Sequence, residues 1–188
     1  MSVTSGNDLE TEHRNLLFGI RRSVRYHSRR RQFYEAWNTL TSAVSVLFGS
    51  TAIAATFGMV SEEHRILVTA VAAALVTLVS TLDLVVGTVR KAQLHADLGR
   101  RFSELECVAA EDSTYERLSE CRKGRVMIEA DEPPQLRVVS VLTHNELCRA
   151  IGRHDHVYDM PFWRRLVGQL INIDPAQTLR KPSEAEAV

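Results

Sequence analysis

Apolar residues along this chain are concentrated in two runs. From Ala36 to Ser61 there are 26 residues without Asp, Glu, Lys or Arg, and from Ile66 to Val89 there are 24 with a single charge, Asp83. Crossing a hydrocarbon core takes about 20 largely apolar residues at about 1.5 Å rise each. Both runs are long enough, and both have polar ends. A buried helix of a soluble domain rarely runs so far, and two in tandem argue harder against that reading. Only Ser61, Glu62, Glu63, His64 and Arg65 join the runs, a link short enough to make them antiparallel neighbours. The pattern predicts a transmembrane hairpin over 36–89, with spans at about 37–60 and 66–89. The first run begins too far along the chain for a secretory leader.

Around the hairpin the pattern changes to amphipathic helices. Residues 1–12 are polar and expected to be disordered. Over 13–35, Leu16, Leu17, Ile20, Val24 and His27 recur at helical spacing with arginines on the other face. This basic helix should run straight into the first span, because no Gly or Pro interrupts Ile20 to Phe48. A helical region is expected over 90–156. Its first helix continues the second span and carries a stripe of Leu94, Leu98, Phe102, Leu105 and Val108 or Ala109. Ser113 and Glu116 fit a capping box for a second helix, with Tyr115, Leu118, Cys121, Val126 and Ile128 inward and Gly124 weakening its middle. Asp131-Glu132-Pro133-Pro134 reads as a turn. A third helix follows from about Pro134 to Ile151, with Leu136, Val139, Leu142, Leu147 and Ile151 inward. An amphipathic C-terminal helix is expected over 157–171, begun by Asp159-Met160-Pro161. It would lie on the inner leaflet or dock on a neighbouring subunit. Residues 172–188 read as a disordered tail. The fold class is an all-α integral membrane protein, a two-helix transmembrane hairpin extended into a cytoplasmic helical bundle.

Averages conceal this organisation: the formal net charge is zero and the mean hydropathy is −0.12. The placement of charge is more informative. Residues 13–34 hold seven arginines and no acid, and Arg90, Lys91, Arg100 and Arg101 follow the second run. Basic flanks are retained in the cytoplasm, so both termini are expected there and the short link outside. Arg21, Arg22, Arg25, Arg29, Arg30, Arg31, Arg90 and Lys91 are the expected membrane-surface residues, each worth about 1 kcal/mol against anionic headgroups. Nucleic acid is not an expected partner. Tyr34 and Trp37 mark the inner mouth of the first span. Cys107, Cys121 and Cys148 form neither a C-x-x-C pair nor a zinc pattern and read as reduced thiols.

Catalytic motifs are absent from the sequence: it has no Walker loop, G-x-G-x-x-G, H-E-x-x-H or G-x-S-x-G. An enzyme would need a buried titratable cluster in the helical bundle, which the sequence does not display. Neither a cofactor nor a metal is expected, and His154-Asp155-His156 reads as a solvated loop. His144-Asn145-Glu146 reads as a cap or a hydrogen-bonding element between helices. The informative polar groups lie in the apolar runs. Thr69, Ala72, Ala73, Val76, Ser80, Asp83 and Gly87 form a small or polar stripe on the second, and Ser45, Gly49, Ala52 and Thr56 form one on the first. Small residues let helices approach closely in lipid. The two stripes either face each other or turn one face to other subunits or a pore. A carboxylate within a span costs about 2.5 to 3.5 kcal/mol on insertion scales. Asp83 is therefore expected to meet a neighbouring subunit, water from the cytoplasmic side, Ser80 or Ser45 in protonated form, or the inner interface. Arg90 lies seven residues on, about 10 Å away by helix rise.

The layout resembles the SLATT family, the two-transmembrane effector domains of bacterial nucleotide-second-messenger defence systems. The resemblance covers about residues 14 to 155. It rests on the arginine-rich entry helix reading into Phe33 and Tyr34, the tight hairpin, and Ala92-Gln93-Leu94-His95 after the second span. Phe102 and Leu105 follow, then Asp131-Glu132-Pro133-Pro134 leading to His144-Asn145-Glu146-Leu147. The resemblance implies a homo-oligomeric pore-forming effector of the bacterial inner membrane that acts when a sensor detects infection. It transfers no catalytic residues. Fused members carry a sensing, synthesising or protease domain, so a standalone chain would take its signal from a separate sensor protein. The rival expectation is a non-conducting membrane interaction or scaffold protein, for example a prophage-encoded exclusion factor.

Overall fold

The stretch from Ile20 to Phe48, free of Gly and Pro, forms the middle of one long helix. In the computed structural model, which describes residues 6–57 and 61–174, α1 spans Gly6–Thr56. It is followed by α2 (Glu62–Val86), α3 (Thr88–Glu111), α4 (Tyr115–Glu129), α5 (Arg137–Ala150), a 3-10 turn at His154–His156 and α6 (Phe162–Val167). The described residues are thus mostly helical, with no strand among them. They fall into two compact units, one of Met1–Arg29 with His95–Val188 and one of Arg30–Leu94. The expected tail over 172–188 lies outside the described residues from 175 on, as does the N-terminus before Gly6.

The first unit has a core built on helical spacing. Leu16 and Ile20 of α1 meet Leu98, Phe102 and Ala109 of α3 and Leu118, Cys121 and Ile128 of α4. Phe102 and Ile20 are both 0% exposed. Residues 6–12, expected to be disordered, are helical for identifiable reasons. Leu9 packs on this core, Glu12 pairs with Arg122, and the His13 ring nitrogen Nε2 donates to the Ala109 carbonyl at 2.7 Å. On α4 the buried positions Leu118, Cys121 and Ile128 are aligned with Gly124, where an added Cβ would come 3.1 Å from Leu105. Val126 sits about 200° around the helix from Ile128, so it is exposed, as is Tyr115. The expected capping box does not form. Thr114 takes the N-cap position and Asp112 accepts from its amide at 3.1 Å and its hydroxyl at 2.9 Å. Helix α5 starts at Arg137, three residues later than expected, and turns Val138, Val139, Leu142, Leu147 and Cys148 inward while Ile151 is exposed.

The second unit has the opposite character. Its helical segments are long and apolar enough to cross a membrane, yet only 11% and 6% of their most apolar windows is buried. The central helix of a soluble domain would be largely covered. Leu47, Ile53, Ile66, Leu78 and Leu84 all stand exposed, while the well-buried positions are few and mostly small or polar: Arg30, Tyr34, Thr41, Ala55, Ala72, Thr88 and Ala92.

Two boundaries here differ from expectation. Helix α2 begins at Glu62, so four of the five linking residues form its first turn. Ser61 takes the cap position, its carbonyl accepts from Arg65 at 3.1 Å, and Glu62 and Glu63 complement the helix N-terminus. The second helix also does not continue unbroken past residue 89. Gly87 adopts φ 63° and ψ 48°, the left-handed conformation that costs glycine nothing, and α3 starts afresh at Thr88.

Candidate functional site

The polar stripes of the two apolar runs are only partly aligned by the structure. On α1, Ser45, Gly49 and Ala52 are half-buried, but Thr56 is exposed and bonds back to the Ala52 carbonyl, and Ala55 is the buried residue. On α2, Thr69, Ala72, Val76 and Asp83 lie on the more covered side, whereas Ala73 and Ser80 are exposed. Ala73 and Ser80 sit about 100° and 60° around the helix from Ala72 and Asp83, which explains the split. Neither Gly49 nor Gly87 marks a close helix approach, because a Cβ at either would meet nothing within 4 Å. Gly87 serves the helix break instead.

Asp83 finds a partner that the sequence did not suggest. Neither Ser80 nor Ser45 donates to it. The Thr88 hydroxyl donates to Asp83 Oδ1 at 2.6 Å, across the Gly87 turn, and Thr88 itself is buried. Without the turn, residues five apart would lie about 140° apart on the helix. Glycine at 87 is what brings hydroxyl and carboxylate together. Arg90 is exposed and forms no ion pair with Asp83 among the described residues.

The arginines expected on a solvated, headgroup-facing surface are largely engaged by protein. Arg21 pairs with Glu106 at 2.8 Å and Arg29 with Glu146, so α1 is tied to α3 and α5 within the first unit. Arg31 pairs with Glu35 at 2.7 Å. Arg30 is buried, donates to the Tyr34 hydroxyl and stacks 4.6 Å from its ring centroid. Arg22 and Arg25 are half-buried, and Arg31, Arg90 and Lys91 are exposed, with Lys91 Nζ 5.7 Å from the Tyr34 ring. The acids that capture Arg21 and Arg29 lie 85 and 117 residues away, beyond any local pattern.

The first unit contains a buried titratable cluster that the sequence did not display. His27 Nδ1 and His95 Nδ1 share a hydrogen bond at 2.9 Å, and His27 Nε2 reaches Glu132 Oε1 at 3.0 Å. The His27 and Glu132 side chains are 0% and 7% exposed. Gln135 donates to Glu132 Oε2 at 2.6 Å, and Phe102 stacks on the His27 ring. Beside them the Tyr26 hydroxyl accepts from the Leu136 amide at 2.9 Å. Burial opposes ionisation of Glu132. The hydrogen bonds from His27 and Gln135 and the electrostatics of His27 and Arg125 outweigh it, and hold the carboxyl below its ordinary value. The cluster joins α1, α3 and the turn ahead of α5.

His144-Asn145-Glu146 acts as the expected hydrogen-bonding element. Asn145 Nδ2 donates to the Tyr158 carbonyl at 2.7 Å and its Oδ1 accepts the Tyr158 amide at 2.8 Å, a clamp on the strand-like stretch before α6. Burial lowers the basicity of His144, and like charge from Arg22 and His156 adds to that against a bond to the His156 carbonyl. Burial pushes the Cys121 and Cys148 thiols up. A groove of about 470 Å³ runs between α1 and α5, lined by Arg14, Phe18, Arg21, His144, Cys148 and Arg153 among others. No group of three or more His, Cys, Asp or Glu suited to a metal ion occurs among the described residues, and His154-Asp155-His156 is an exposed turn.

No family model, no curated protein and no solved structure matches the chain.

Proposed function

We propose that this chain is a SLATT-like membrane effector. Its two apolar helices cross the bacterial inner membrane as a hairpin with both termini cytoplasmic. Several copies assemble so that the hairpins form or gate a path that disrupts the membrane in anti-phage defence. The observation that carries this reading is the pair of long apolar helices of whose side chains the chain itself buries few. Lipid and further copies are the natural cover for such surfaces. The half-buried Asp83 near the end of α2 adds to it, because a carboxylate there needs protein or water around it. The defence role, and a separate sensor as trigger, rest on the family resemblance.

One observation favours the rival reading of a non-conducting scaffold, such as a prophage-encoded exclusion factor. Thr88 already supplies Asp83 with a donor from the same chain, so the carboxylate is partly satisfied without a neighbour. Leakage of a cationic dye from proteoliposomes, with oligomer mass measured in detergent, separates the two. An effector releases dye as an oligomer, and Asp83→Asn changes the leak rate on the order of tenfold, equivalent to about 1.4 kcal/mol. A monomer that never leaks, with Asp83→Asn altering only thermal stability, sinks the pore reading and leaves the scaffold.

A further inference from the structure

The polypeptide from Met160 to Asp174 is fastened to α5 along one side. Met160 is buried in a cluster with Val138 and Leu142, and Ile173 packs on the same cluster. Gly168 approaches so closely that an added Cβ would lie 2.4 Å from Val138 Cγ1. The Arg137 amide donates to Asn172 Oδ1 at 3.1 Å, and Arg137 pairs with Asp174 at 3.2 Å. With that side fixed, the opposite side of α6 and its C-terminal extension points away from the unit. It presents Phe162, Trp163, Leu166, Leu170 and Ile171, all more than half exposed. Arg164 is half-buried and stacks 5.0 Å from the Trp163 ring; its Nε and Nη1 are buried without an acceptor among the described residues, which leaves Nη2 as its outward donor. Arg165 is exposed beside it, and its Nε donates to the Met160 carbonyl at 3.0 Å while the rest of the guanidinium stays outward.

From this arrangement we infer that the α6 ridge is a lipid-surface anchor, which seats its apolar side chains among acyl chains while Arg164 and Arg165 meet anionic headgroups. Three features favour lipid over a second copy. Tryptophan and arginine side by side on an apolar ridge is interfacial chemistry, with an amphipathic ring and cations complementary to phosphate. The five side chains expose roughly 600 Å², the upper end for a patch on a monomer, which falls short of the about 800 Å² that each partner of a stable protein pair buries. The clamp by Asn145, Gly168 and Asn172 also removes the ordering cost that a free segment would meet on binding. The inference rests on the proposed membrane insertion of the hairpin, so its test must read both.

The chain has two tryptophans, Trp37 and Trp163, and each can be isolated in the full-length protein. Trp37→Phe leaves Trp163 as sole reporter, and Trp163→Phe leaves Trp37. Each is reconstituted into vesicles of phosphatidylethanolamine and phosphatidylglycerol whose acyl chains carry bromine near the carbonyl. An interfacial helix sits about 5–10 Å into the headgroup–acyl boundary, so Trp163 emission is expected to shift to the blue and lose more than half its intensity. The loss should shrink when Arg164→Glu and Arg165→Glu are combined. If Trp37 is quenched and Trp163 keeps the emission of a hydrated indole, the hairpin stands and the anchor is wrong. If Trp163 is shielded yet unquenched, protein covers the ridge and the anchor is again wrong; dependence on the protein-to-lipid ratio then identifies a second copy. If neither is quenched, both insertion and anchor fall.

Discussion

Phe102→Ala is expected to destabilise the helical unit by about 3–5 kcal/mol, the usual range for removing a large buried aromatic ring. Phe102 is wholly buried, lies in the cluster that joins α1, α3 and α4, and stacks on His27. A small unit has only about 5–15 kcal/mol in total, so the change takes much of its stability. Cys121 is buried in the same cluster and becomes a local reporter. Its reaction with a thiol reagent should accelerate by roughly two to four orders of magnitude, since each 1.4 kcal/mol is tenfold. An acceleration below tenfold would show that the cluster does not hold the unit together.

His27→Ala is expected to be comparably damaging, at about 3–5 kcal/mol, because it strands buried partners instead of merely leaving space. Glu132 loses its principal hydrogen-bond donor and His95 loses its ring partner. The same cluster gives a pH dependence with a definite sign. The Glu132 carboxyl is held below its ordinary value of 4.5 in the folded chain. Its contribution to stability is therefore complete above that value and drains away as pH falls through the lower folded value. Glu132→Gln should be less stable than the parent at neutral pH, and the two should converge in acid. Thermal unfolding followed by circular dichroism across the acidic range checks this. A gap between the two that widens in acid would contradict it.

The sequence made the long helices legible because runs without charge and without Gly or Pro admit few alternatives. Leu16, Ile20, Leu98 and Phe102 were likewise legible as core from their spacing of three and four. Features set by distant contacts were not. His27 reads as one more residue on an apolar face, and only the fold brings it to His95 and Glu132, 68 and 105 residues away. The two partners do stand in short words noted in the sequence, after the second run and ahead of the double proline, but nothing local couples them. The same holds for Arg21 and Arg29, which look solvated until Glu106 and Glu146 arrive. Gly87 misled for a different reason. In an apolar run a glycine resembles a packing residue, and its positive φ has no signature except the polar pair, Asp83 and Thr88, on either side of it. The C-terminal helix was legible in position but not in length: α6 ends at Val167, where Gly168 packs tightly on Val138.

The central claim, a two-span hairpin with both termini in the cytoplasm, is tested most directly by thiol accessibility in bacterial cells. Cys107 is the exposed native thiol and lies after the second apolar run, while Cys121 and Cys148 are buried. Ser61→Cys adds a thiol between the two runs. A membrane-impermeant maleimide should label Ser61→Cys in intact spheroplasts and reach Cys107 only after permeabilisation, with the protein resisting alkaline extraction. Equal labelling of both positions before permeabilisation, or release of the chain at alkaline pH, would contradict the hairpin.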